Sequence, residues 1–75
     1  MTKKDRKIID DSEANGTPIF VLTAKDKLSL ETILGYHYQC REAGCSEEHI
    51  KNAMLRANEF EDWQGENKDK VKLPD

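Results

Sequence analysis

Four side chains able to bind a metal or act as nucleophiles fall close together: His37, Cys40, Cys45 and His49. Their order, H-x2-C-x4-C-x3-H, supplies the ligand types of a tetrahedral structural zinc site. Each residue also has an ordinary role. Cys45 suits a staple at the entrance of a helix, Cys40 a core position, and His49 an exposed first turn. The spacing matches no standard zinc motif. The expectation is therefore no metal and no cofactor, with a zinc-stapled structural module as the third reading. A Cys40–Cys45 disulfide does not suit a reducing cytoplasm.

A second candidate is the segment Thr23-Ala24-Lys25-Asp26-Lys27-Leu28-Ser29. It brings two lysines and two hydroxyls to the expected start of a helix, where free backbone N–H groups favour anions. Lys25, Lys27 and Ser29 are the candidate ligand-binding residues. If two copies of the chain met nearby, two such segments would flank one dyad and suit an anionic nucleotide signal such as a cyclic dinucleotide.

Catalysis has little support. His37 has Glu31 and Glu42 near it in sequence but no nucleophile and no glycine-rich loop. No Walker, Rossmann or nucleophile-elbow pattern occurs. Non-enzymatic binding is the expectation, with Phe20, Leu22, Tyr36, Tyr38 and Trp63 as interface residues, because large aromatic and apolar anchors dominate interface energetics.

The elements that must position these residues follow from spacing. Gly44 suits the left-handed residue after a helix. Ser46 suits an N-cap, with Glu47 and Glu48 in the positive first turn. Cys45 and Ile50 have the separation of a hydrophobic staple. Before this turn, Ile33, Tyr36, His37 and Cys40 form a helical stripe, flanked by Leu30, Leu34 and Tyr38. Ser29 is the expected N-cap, and Gly35 implies a close helix–helix approach. After the turn, Ile50, Ala53, Met54, Ala57 and Phe60 form a second stripe, which Trp63 closes and Gly65 stops. A link this short makes the two helices antiparallel neighbours.

Ile19-Phe20-Val21-Leu22-Thr23 is β-branched and aromatic and reads as one short strand. Two partners are available for its edge: Val71-Lys72-Leu73 of the same chain, or the same strand of a second copy about a two-fold axis. The second is favoured, since both faces of the run are apolar. The expected fold is mainly α: an antiparallel two-helix hairpin preceded by one short β-strand and completed by homo-oligomerisation. Residues 1–17 read as a disordered charged arm, 18–64 as the strand-plus-hairpin domain and 65–75 as a flexible tail.

Composition bounds the possibilities. The chain has 75 residues, 36% charged and 36% hydrophobic, a lean supply for a self-sufficient core. The net charge of −3 arises within residues 18–64, which hold five basic and eight acidic groups. An acidic hairpin is poorly suited to gripping nucleic-acid phosphates. No apolar run approaches the ~20 residues of a membrane span, and no signal-peptide pattern follows Met1. A soluble intracellular protein is expected.

The string Pro18-Ile19-Phe20-Val21-Leu22-Thr23-Ala24-Lys25-Asp26-Lys27-Leu28 resembles the opening of a group of small proteins from tailed phages and prophages. There a Pro-(Ile/Val)-Phe-x-Leu-x-Ala-x-Asp strand leads into a helix, followed by a second helix ending in Trp, and the chain often finishes near Leu-Pro-Asp. Glu59-Phe60-Glu61-Asp62-Trp63-Gln64 and Leu73-Pro74-Asp75 resemble those later parts. The likeness spans residues 18–75. Ser29-Leu30 departs from the Ala-Pro of the group, and the Cys/His cluster is absent from its pattern. The resemblance implies an accessory protein in the cytoplasm of a bacterial host cell. It would bind and modulate a host protein or complex, in host takeover or anti-defence.

Overall fold

Gly44 ends one helix and Ser46 begins the next, and this junction sets the architecture. A computed structural model describes the whole chain, Met1–Asp75. It is mainly helical: α1 spans Lys3–Asn15, α2 Ser29–Ala43 and α3 Glu47–Glu66, followed by a 3-10 turn at Lys68–Lys70. Gly44 sits at φ 78°, where a side chain would strain the backbone. Its N–H bonds to the Arg41 carbonyl, and the Cys45 N–H bonds to the Cys40 carbonyl at 3.0 Å. That pair of bonds is a Schellman motif. The Ser46 hydroxyl then accepts from the His49 N–H at 3.2 Å and caps α3.

With three residues between them, α2 and α3 fold back on each other. Tyr36 meets His49 near the turn, and Ser29 meets Gln64 at the far end, so the helices run antiparallel. Cys40 and Ala57 are the buried apolar residues of the seam. Ile33, Ile50, Ala53 and Phe60 are half-buried around them, whereas Met54 of the expected stripe lies exposed. Gly35 does not mediate a close approach, for a Cβ built there meets nothing within 4 Å.

The first seventeen residues correct the expectation of a disordered arm. They form α1, because local signals agree along its length. The Thr2 hydroxyl caps the Asp5 N–H, and the Asp5 carboxylate accepts from the Thr2 N–H in return, closing a capping box. Lys7 and Asp11 pair one turn apart at 2.9 Å, and Gly16 ends the helix in the left-handed conformation. No Cα of α1 comes within 8 Å of α2 or α3. The ion pair between Arg56 and Asp5 ties it to the hairpin.

Residues 19–23 form no strand, a second correction. A lone run has nothing to pair with in one chain, and the C-terminal residues pair elsewhere. Lys27 N–H bonds to the Lys72 carbonyl at 2.9 Å, and Lys72 N–H to the Lys25 carbonyl at 3.0 Å, making one isolated parallel bridge at Asp26. The backbone of Ile19–Leu22 has no hydrogen bond within the chain. The same bridge replaces the expected flexible tail with a bound one. Gly65 does not stop α3, which continues to Glu66, and the Asn67 side chain bonds the Trp63 carbonyl just past its end.

The result is open for its size. The accessible surface is 6283 Å². A compact monomer of 8.6 kDa would expose about 4,700 Å², so the excess is roughly 1,600 Å². The radius of gyration is 13.6 Å, against about 11 Å for a compact chain of this length.

Candidate functional site

The segment from Thr23 to Ser29 is built by polar contacts. Asp26 holds its turn: one carboxylate oxygen accepts the Leu28 N–H at 2.8 Å, and its carbonyl accepts both the N–H of Ser29 and the Ser29 hydroxyl, the latter at 2.7 Å. From the last turn of α3, the Gln64 amide donates to the Ala24 carbonyl at 3.1 Å. It also approaches the Asp26 carbonyl and the Ser29 hydroxyl at 3.4 Å each. Gln64 thereby fixes the loop that carries the lysines.

This arrangement corrects the assignment of Ser29. It is the first residue of α2 rather than its N-cap, Leu28 stands at the cap without a side-chain bond, and Asp26 supplies the turn. Ser29 is fully buried at 0% exposure, with its hydroxyl spent on Asp26 and Gln64, so it cannot meet a ligand. Lys25 and Lys27 are exposed. Lys25 joins Thr23, Ala24 and Trp63 around a surface depression of about 320 Å³. A neighbouring one of about 190 Å³ is lined by Thr23, Lys25, Asp26, Lys72, Leu73 and Pro74. Trp63, expected at an interface, is half-buried and contributes to the first of these.

The Cys/His set is not assembled as ligands. No three of the His, Cys, Asp or Glu side chains gather where an ion could sit. His49 instead meets the Tyr36 hydroxyl through Nε2 at 2.9 Å, with the rings edge to face and 5.9 Å apart. Cys40 is buried, and Cys45 is half-buried beside it across the turn. Both occupy the Schellman positions whose side chains touch. Desolvation, then bonding to Cys40, pushes the Cys45 thiol above its ordinary pKa. Bonding to Cys40, then desolvation, does the same to the Tyr36 phenol. A raised thiol value disfavours nucleophilic chemistry at Cys45.

The expected interface residues divide. Phe20 is 86% exposed, Tyr38 63% and Tyr36 52%, with Val21 at 62% and Ile19 at 49% beside Phe20. Leu22 is half-buried. Three residues not among the candidate site residues position the rest: Gln64, Asp26 and Arg56. A Gln one residue before Gly65 carried no signal of its own. Asp26 did, since an Asp two residues before a backbone N–H at a helix entrance is the signature of an Asx turn.

No helix is long and apolar enough to cross a membrane. No protein-family model, curated protein or solved structure matches the chain.

Proposed function

We propose that this chain is a small non-enzymatic accessory protein of phage type. It acts by stoichiometric binding to a host protein or complex in the bacterial cytoplasm, in takeover or anti-defence. The observation that supports this reading is the placement of the large apolar side chains. Phe20, Val21, Tyr36 and Tyr38 lie mostly outside, while Cys40 and Ala57 are the only apolar residues buried. Aromatic anchors presented to solvent are what a partner-binding surface needs. The phage setting is part of the proposal and rests on the sequence resemblance alone, since no family model, curated protein or solved structure matches. The test is affinity capture from bacterial lysate with the wild-type chain and with Tyr38→Asp. A partner held at fixed stoichiometry and released by Tyr38→Asp supports the reading. Capture that the variant leaves unchanged refutes it.

A second reading is sequestration of an anionic nucleotide signal by a homo-oligomer. The depression at Lys25 favours it, because Trp63 offers a face for a base beside a cation for a phosphate. Lys25 would serve as the ligand there, without Ser29, while Lys27 lines neither depression. A thermal-shift screen with cyclic dinucleotides separates the two. Binding to the folded state raises Tm under the second reading, by about 2.7 kcal/mol of stabilisation at a hundredfold excess over Kd. Under the first it leaves Tm unmoved.

A further inference from the structure

We infer that two copies of this chain pair antiparallel through Ile19–Leu22, with the amides of Ile19 and Val21 bonding across the dyad. This names the first occupant of the exposed surface on which the host-binding reading rests. The backbone comes first. Ile19–Leu22 carries four N–H donors, none bonded within the chain. Amides left unbonded along an apolar run are a template for another strand, and an identical segment offers the same donors and acceptors in reverse order.

The area agrees. The roughly 1,600 Å² of surface beyond that of a compact monomer is about twice the 800 Å² each partner contributes to a stable interface. Ile19–Leu22 lies within this open structure and is apolar on both faces. Ile19 and Val21 would lie on one face of the pair, and Phe20 and Leu22 on the other. No charged residue falls between Thr17 and Ala24, so two copies approach there without like-charge repulsion.

Proline then fixes the register. Pro18 has no N–H, so it must stand where the strand points its donors away from its neighbour. Alternation makes Phe20 and Leu22 outward-bonding as well and turns Ile19 and Val21 toward the partner. With the dyad at Phe20, that side chain meets its own copy in a non-hydrogen-bonded pair, where opposite side chains are closest.

The test is amide hydrogen exchange on the intact chain over a range of concentrations, with sedimentation equilibrium on the same samples. The expected result is a dimer mass and concentration-dependent slowing of exchange at Ile19 and Val21, with Phe20 and Leu22 unprotected. Val21→Pro, which removes a bonding donor from an exposed site, is expected to weaken the dimer about tenfold or more while the helical circular dichroism stays unchanged. A monomer mass overturns the pairing. So does a dimer whose Ile19 and Val21 amides exchange freely, or one that Val21→Pro leaves as tight as wild type. A dimer without any host complex leaves the pairing standing and removes the host-binding reading; a monomer bound to a host protein does the reverse.

Discussion

Replacing Gln64 by Ala removes a side chain that holds the lysine loop against the end of α3. The amide makes one bond of ordinary length, to the Ala24 carbonyl at 3.1 Å, and two long approaches at 3.4 Å. A net intramolecular hydrogen bond stabilises by about 0.5–1.5 kcal/mol, and the long ones sit at the bottom of that range or below it. The Ala24 carbonyl has no other protein partner, and its surroundings are half-buried, so some desolvation cost stays behind. The sum is about 1–2 kcal/mol. For a domain of this size each kilocalorie lowers Tm by about 4–8 °C, giving a fall of roughly 5–15 °C. Thermal melts followed by circular dichroism measure it. Trp63, adjacent in sequence and lining a surface depression with Thr23, Ala24 and Lys25 of that loop, should report the loosened loop by fluorescence. Gln64→Glu should cost at least as much, since a carboxylate would face two carbonyl oxygens. If Gln64→Ala melts within 2 °C of wild type, about 0.5 kcal/mol or less, the loop is not held by this side chain and its role as organiser of the site is refuted.

Helix α1 should release in acid before the hairpin does. The backbone bond from Thr2, offset in part by desolvation and joined by Arg56, lowers the Asp5 pKa below its ordinary value. A lowered pKa contributes stability that is complete above the ordinary carboxylate value and lost as pH falls through the folded one, so the chemical shifts of residues 3–15 should move toward coil in that window. Arg56→Ala should free α1 at neutral pH and leave the α2–α3 shifts in place. Gly35→Ala should raise stability by about 0.5–1 kcal/mol in a denaturant titration, since the new methyl meets nothing and a helical glycine is entropically costly. Gly44→Ala should lower it by about 1–2 kcal/mol, because its φ of 78° strains any side chain. Chelator and added zinc should both leave the melting curve where it is. A chelator-dependent loss of Tm would restore the His37/Cys40/Cys45/His49 reading.

The hairpin was legible because its signals are local. Gly44, Ser46, Glu47 and Glu48 each act within one turn, and their agreement places two helix ends without any knowledge of packing. Helix α1 is hidden in the sequence for the opposite reason. High charge and few apolar residues describe a disordered arm and an exposed helix equally well, and only the reciprocal Thr2–Asp5 cap, three residues apart, separates them. The run at Ile19–Leu22 has strand composition, but composition cannot supply the second strand that makes one. Ser29 has the residue type of a cap but is the first residue of α2. Asp26, three residues earlier, competed for the same role and won through its carboxylate and carbonyl together. Gly35 in mid-helix suggests a close approach, yet the hairpin alone does not use it. Lys25 and Lys27 stand just before α2, which begins at Ser29, while the Gln64 contact that holds their loop joins residues far apart in the chain and leaves no pattern in sequence.

One copy of this chain buries only Cys40 and Ala57 among its apolar residues, and the mass of the intact protein in solution tests most directly whether a second copy covers the rest. Sedimentation equilibrium at micromolar concentration should return at least twice 8.6 kDa, falling toward the single-chain value only on dilution. A cooperatively folded species of 8.6 kDa at every concentration would contradict it.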